Sequence, residues 1–319
     1  MRVLSAQDID SLVSAADLIP AIDAAMRRVS ERAVELPLRT VMPLGGKDFL
    51  GVMPGRLDDP ACYGAKLLSL FPDNPAQGRS SHAGLMLLFD RATGLPRACL
   101  DASRLTALRT AAASALATRA LSRPDSATLV LLGCGEQAEA HLQALRAVRD
   151  IRRVLVWGRD PARAAAFAAA NPGVEAVPGV GEAVTAADIL CTVTAAASPI
   201  LFPAMLRPGQ HVNAVGASVP TMQEIAPDCL PAVTLFTDYR PSLEAQAGEL
   251  RDARATGLVA PDHTGTEIGE VLAGKRPGRH GDGEITLYRS LGVAAQDLAA
   301  AQLVLERAEA AGRGVEAPI

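Results

Sequence analysis

Residues 127–137 read ATLVLLGCGEQ, and Ala138 follows. An apolar run of strand length ends in Gly133-x-Gly135-x-x-Ala138, and a helical pattern comes next. Gly133 permits a tight turn, and Gly135 lets the backbone approach a pyrophosphate. Ala138 is small enough for the helix to pack closely on the strand, with its N-terminal amides facing phosphates. Alone, such a turn is weak evidence, because a merely structural turn looks the same. Here the context is right: a second apolar run, VLVW (154–157), starts about 20 residues on. The stretch is therefore read as the opening of a dinucleotide-binding unit, placed well inside the chain.

Strands and helices alternate from there. ADILCTVT (187–194), HVNAV (211–215) and VTLFT (233–237) are further apolar runs separated by helical segments. Such runs suit parallel strands buried on both faces, and βαβα alternation predicts an open, doubly wound α/β sheet. The residues before 121 read differently. FLGVMPGRL, YGAKLLSLFP and LMLLFDRATGLPRACLD suggest strands joined by turns, the last a hairpin around Ala92-Thr93-Gly94. SRLTALRTAAASALATRAL (103–121) predicts a long helix stopped before Arg123-Pro124. After the last sheet strand, a helical segment over 242–273, a strand EITLYRSL and a closing helix are expected.

Length and composition narrow the function classes. At 319 residues, two domains are expected, and 49% hydrophobic with 21% charged residues is ordinary globular material. A net charge of -4 without a basic patch argues against nucleic acid. The opening MRVLSAQDID lacks a signal-peptide core, and no apolar run is long enough to span a membrane. Five scattered cysteines and five dispersed histidines show no disulfide framework and no metal-ligand spacing, which fits a reducing cytoplasm.

Four charged residues stand out. The second strand ends in Trp157-Gly158-Arg159-Asp160, where an NAD enzyme usually places an acid for the ribose 2′-hydroxyl. Arg159 suits a 2′-phosphate, so NADP(H) is preferred, with NAD(H) possible because Asp160 follows. Lys66, inside YGAKLLSLF, is either an edge-strand gatekeeper or a site residue. Arg109 shares a helical face with Leu105, Ala112 and Leu116, so it needs an anion or a carboxylate partner. Arg39 is a third candidate anion ligand. A structural salt bridge explains each equally simply, but three such cations together suit a carboxylate-bearing substrate.

Several blocks then resemble the ornithine cyclodeaminase/mu-crystallin family: LRTVMP (38–43), GAKLLSLFPDNP (64–75), SSHAGLMLLFD (80–90), TALRTAAAS (106–114), LGCGEQA (132–138), VNAVGASVP (212–220) and GEITLYRSLGVAAQDLA (283–299). The resemblance implies a Rossmann-type NAD(P)-binding domain (122–292) inserted into a smaller α+β substrate-binding and dimerisation domain (1–121 plus 293–319). It implies that Lys66, Arg39 and Arg109 face the substrate and that Ser81 takes the place of a threonine. It places cofactor contacts at Thr110, at the turn Gly133, Gly135, Glu136, Gln137 and Ala138, at Arg159, at Val193, Thr194 and Ala195, at Val215, Gly216 and Ala217, and near Gly292. Ornithine cyclodeaminases carry an aspartate where this chain reads Gly216-Ala217-Ser218. Serine is no ionised base at neutral pH. A cytoplasmic, homodimeric reductase of a small carboxylated imine is therefore expected, with Ser218 as a hydrogen-bonding member of the catalytic set. Ornithine cyclodeaminase, amino-acid dehydrogenase and a non-enzymatic ligand-binding protein are the alternatives.

Overall fold

The computed structural model describes residues 1–318. The chain divides into two compact units, Met1–Arg109 with Val293–Ile319, and Thr110–Gly292. The division falls inside the helix Ala102–Leu121. The Arg123-Pro124 signal thus ends that helix and does not mark the compact-unit boundary.

In the first unit eight strands form one sheet. Its centre is antiparallel: Asp48–Asp58, Ala61–Leu70, His82–Phe89 and Pro96–Asp101 pair in chain order, and the last two form the expected hairpin. The register sets Met53, Lys66, Met86 and Leu100 side by side. All four are buried. Residues directly across an antiparallel ladder share a face, so this row is the inner one. The helix Ala294–Ala311 covers it, packing on the three strands Asp48–Asp58, Ala61–Leu70 and His82–Phe89 and on the helix Ala15–Ser30. The opposite face carries Met42, Leu50, Val52, Leu67 and Leu85; Met42 is 49% and Leu85 50% exposed. Two N-terminal helices, Ala6–Leu12 and Ala15–Ser30, lie outside the sequence-based expectation. Each opens on a Ser-x-x-Asp capping box, Ser5 with Asp8 and Ser14 with Asp17, which is a legible start signal.

In the second unit all eight strands run parallel, in the order Val174–Ala176, Arg153–Trp157, Thr128–Leu132, Ile189–Thr192, His211–Ala214, Thr286–Arg289, Thr234–Thr237 and Thr266–Glu267. The first strand in the chain lies between the second and the fourth. Strand order reverses there, and such a switch point is where open α/β sheets take ligands. Val130, Leu132, Leu190 and Val212 carry the core. The region 242–273 is not one helical run. It breaks into Arg240–Gln246, Gly248–Ala255, the strand Thr266–Glu267 and Ile268–Leu272. A turn at Thr256-Gly257 and Pro261 interrupt the apolar periodicity. Among the described residues no helix is long and apolar enough to cross a membrane.

Candidate functional site

The first unit buries a cluster of charge. Lys66 is 2% exposed, Arg109 4% and Asp297 0%. They come from a central strand, the long helix and the first turn of the closing helix. Asp297 Oδ1 accepts from Lys66 Nζ at 3.0 Å and from Arg109 Nε at 2.9 Å. Arg109 Nη1 donates to Gln296 Oε1 at 2.8 Å, and Lys66 Nζ reaches Thr106 Oγ1 at 3.4 Å. Burial drives the Lys66 ammonium down to about 7. The Asp297 carboxylate pulls the other way, while the guanidinium charges of Arg109 and Arg39 add to the lowering. Burial alone would raise Asp297; Arg109 and Lys66 outweigh it and hold the carboxylate below its ordinary value.

Arg39 thus joins Lys66 and Arg109 electrostatically. Ser81, half-buried, shares a 2.9 Å hydrogen bond with His82 Nδ1. Burial lowers the His82 imidazole, and the Lys66 charge lowers it further. Two cations on one carboxylate leave the cluster net positive in surroundings that disfavour unpaired charge. Such a cluster is suited to receive an anion. An amine that titrates near neutrality is also suited to move a proton.

In the second unit the remaining candidates follow strand ends, except Thr110, which lies on the long helix. Gly133 has φ +123, and a Cβ there would stand 2.6 Å from the Val193 carbonyl oxygen. Only glycine fits. Gly135 is the N-cap of the helix Glu136–Arg146; no side chain caps that end, and a Cβ on Gly135 would meet open space. Gln137 Oε1 is buried without a hydrogen-bond partner. An uncapped helix end and an open approach fit a dinucleotide pyrophosphate, and the orphaned acceptor suits a hydroxyl donor beside it. Thr110 is buried. Arg159 is exposed, whereas the Asp160 carboxylate is engaged, accepting from Ala162 N at 2.9 Å as the N-cap of the helix Pro161–Ala170.

One buried carboxylate ties the other loops together. Glu224 Oε1 accepts from Thr194 N at 2.6 Å and Thr194 Oγ1 at 2.7 Å. Its Oε2 accepts from Thr192 Oγ1 at 2.8 Å, Gly216 N at 2.7 Å and Ala217 N at 3.1 Å. Burial raises this carboxyl, opposed by the bonds from Thr194 and Thr192. A Cβ on Gly216 would collide with the Thr194 backbone and the Glu224 carboxylate. Arg289, paired with Glu249, donates to the carbonyls of Ala214 and Ala217. Asp238 Oδ2 accepts from the amides of Leu291 and Gly292 at 2.8 and 2.6 Å. The stretches Val193–Ala195 and Val215–Ala217 are therefore held on their backbones, and Ser218, half-buried, follows directly.

Sequence reasoning missed Asp297, Gln296 and Glu224. Asp297 looks like an ordinary first-turn acid on a helix. Its setting emerges only in the structure, where every residue from Leu291 to Ala301 is buried and a polar Gln-Asp pair demands partners.

Comparison with known proteins bears on this geometry. The profile of the ornithine cyclodeaminase/mu-crystallin family matches residues 1–312. The ketimine reductase mu-crystallin of Mus musculus is 36% identical over 309 residues, covering 95% of this chain and 96% of that protein. The structure of Thermococcus litoralis Delta(1)-pyrroline-2-carboxylate reductase in complex with NADH and L-proline superposes with a TM-score of 0.96 at 31% identity, covering 99% of this chain and 100% of that one. An archaeal alanine dehydrogenase dimer with bound NAD gives a TM-score of 0.92 at 31% identity, covering 100% of this chain and 99% of that one.

Proposed function

The chain belongs to the ornithine cyclodeaminase/mu-crystallin family, and from that membership we propose that it is a nicotinamide-dependent reductase of a small carboxylated imine, cyclic forms such as 1-pyrroline-2-carboxylate or 1-piperideine-2-carboxylate first among them. The relatives that carry this reading are a ketimine reductase and a pyrroline-2-carboxylate reductase. The observation in this chain that supports it best is the Lys66–Arg109–Asp297 cluster, a buried, net-positive set that includes an amine poised near neutrality.

In this mechanism the reduced nicotinamide, when bound, supplies the hydride. Arg109, with Arg39, holds the substrate carboxylate by charge-assisted hydrogen bonds. Lys66 Nζ donates its proton to the imine nitrogen. A donor whose pKa lies near the working pH is half-charged there, close to the optimum for general acid work. Ser81 and Ser218 offer hydroxyls to the substrate. Backbone amides at Gly135, Glu136 and Gln137 would receive the pyrophosphate, and Ala138, whose amide donates to the Gly135 carbonyl, lets the helix pack close to the strand. Thr110, Gly133, Val193, Thr194, Ala195, Val215, Gly216, Ala217 and Gly292 shape the rest of the nucleotide site. Ornithine cyclodeamination is disfavoured by Ser218, which replaces the acid, and by Glu224, whose oxygens are already committed. A turnover assay decides between them. The purified enzyme should consume NADPH or NADH with 1-pyrroline-2-carboxylate. Proline and ammonia released from L-ornithine at comparable rates, with no net cofactor change, would reverse the assignment.

Three finer readings accompany this one. NADP(H) is preferred, supported by an exposed Arg159 beside an Asp160 already spent on a helix cap. The protein is a homodimer through the first unit, supported by the apolar outer face of Met42, Leu50, Val52, Leu67 and Leu85, because exposed patches of this kind mark association sites. A monomer in sedimentation at micromolar concentration would contradict it. It works in the cytoplasm, supported by five free cysteines.

A further inference from the structure

We propose that Asp297 is a positioning residue of the reduction: one of its oxygens fixes the Lys66 ammonium and the Arg109 guanidinium together, so that proton donor and carboxylate clamp keep a single geometry. This rests on the reductase reading for the roles of Lys66 and Arg109.

Three features separate this from an ordinary buried salt bridge. First, both cations converge on one atom. Lys66 Nζ lies 3.0 Å and Arg109 Nε 2.9 Å from Asp297 Oδ1, whereas Oδ2 is buried with no hydrogen-bond partner. A carboxylate buried for stability alone would have both oxygens satisfied, as Glu224 does in the second unit. Second, the neighbouring residue works on the same guanidinium. Gln296 Oε1 takes Arg109 Nη1 at 2.8 Å, while Gln296 Nε2 rests on Met26 Sδ at 3.4 Å. The guanidinium plane is thus gripped at Nε and Nη1 by two consecutive residues, and a planar fork gripped at two points cannot rotate. Third, the charge does not balance. Lys66 and Arg109 face one carboxylate, and Arg39 adds to the positive side.

Asp297 also governs which form Lys66 takes. The groups that bear on the ammonium are Arg109 and Thr106 on the long helix, Arg39 ahead of the strand Thr40–Gly45, His82 on the neighbouring strand, and Asp297 on the closing helix. Burial, Arg109 and Arg39 all favour the neutral amine; Asp297 is the group that favours the ammonium. A proton donor works only below its pKa, so activity falls as pH rises through that value. Removing the Asp297 charge lowers the value and moves the alkaline limb of the pH–rate profile to lower pH.

The test uses the full-length protein and two readouts. One is kcat/KM for 1-pyrroline-2-carboxylate reduction against pH. The other is the pH titration of Lys66 itself, followed by NMR of protein labelled with [ε-13C]lysine and assigned by the peak lost in Lys66→Met. In Asp297→Asn both midpoints should move down by about one unit or more, because a contacting opposite charge shifts a pKa by that much. In Asp297→Glu the charge remains but the oxygen is displaced by a methylene. There the Lys66 midpoint should stay within about half a unit, while kcat falls about tenfold from misplacement. A Lys66 midpoint unmoved in Asp297→Asn overturns the proposal, and so does wild-type kcat in Asp297→Glu. If Asp297→Asn fails to fold, the Asp297→Glu result decides alone. If the wild-type enzyme reduces no cyclic imine, the reductase reading falls, while the Lys66 titration still reports whether Asp297 controls the ammonium.

Discussion

Each unit buries a carboxylate near its candidate site, and the two are treated oppositely. Glu224 accepts five hydrogen bonds from the hydroxyls of Thr192 and Thr194 and the amides of Thr194, Gly216 and Ala217. Four of these donors lie on the two stretches that it ties together, and Thr192 ends the strand that leads into the first. Asp297 accepts two bonds, both from cations, on one oxygen. A buried anion satisfied by neutral dipoles acts as a fastener: it holds backbone and exerts little field beyond. A buried anion shared between two cations leaves positive charge unspent, and that charge is available to a ligand. The contrast separates scaffold from chemistry without reference to position in the fold.

The sharpest way to break this contrast is Lys66→Met. Loss of a positioned general acid should lower kcat by about 10²–10⁴-fold. The melting temperature should hold within a few degrees, because Asp297 keeps Arg109 and one buried charge is removed. Loss of folding with Lys66 would make the cluster structural and erase the distinction. Next in size is Glu224→Gln, which sets an amide group among donors that need an acceptor. It should destabilise by about 3 kcal/mol, the usual result of leaving buried donors unpaired. In a chain of this size that lowers the melting temperature by about 6 °C or more. Calorimetry of the apoprotein reads it directly; an unchanged melt would mean that Glu224 is no fastener. Arg159→Ala tests an exposed cation for comparison with the buried ones. It should raise the KM for NADPH by about 10- to 150-fold and leave that for NADH nearly unchanged, as expected for a lost charge-assisted phosphate contact. Wild-type preference for NADH would refute the assignment. The smallest effect is expected from Ser218→Ala, about 1 kcal/mol, or roughly fivefold in kcat/KM. A loss as large as that of Lys66→Met would give Ser218 a catalytic step of its own.

The second unit was legible because its information is local. Strand, glycine turn and helix follow one another, and each parallel strand announces itself as an unbroken apolar run. The first unit was legible in its strands and in two misplaced charges, Lys66 and Arg109, which violate the apolar pattern around them. Their partner was not legible. Asp297 lies 231 residues from Lys66 and 188 from Arg109. Nothing in AAQDLAA alone distinguishes a buried hub from a residue placed to complement a helix dipole. Glu224 was hidden in a similar way, most of its ligands being backbone amides and loop hydroxyls that no side-chain pattern encodes. The broken helices of 242–273 show a different loss, since turn chemistry there outweighed an approximate helical period.

The closing helix Ala294–Ala311 also gives the molecule a timetable. A ribosome delivers Lys66 and Arg109 early, then all of Thr110–Gly292, and only afterwards Asp297. At about 5–20 residues per second that interval lasts on the order of ten seconds or longer. Through it, the inner row of Met53, Lys66, Met86 and Leu100 has no closing helix to cover it, while the parallel strands of the second unit gain all their partners. The nascent chain therefore carries one apolar sheet bare after the other is complete. Chaperone demand should concentrate on the part of the protein that is translated first and finished last.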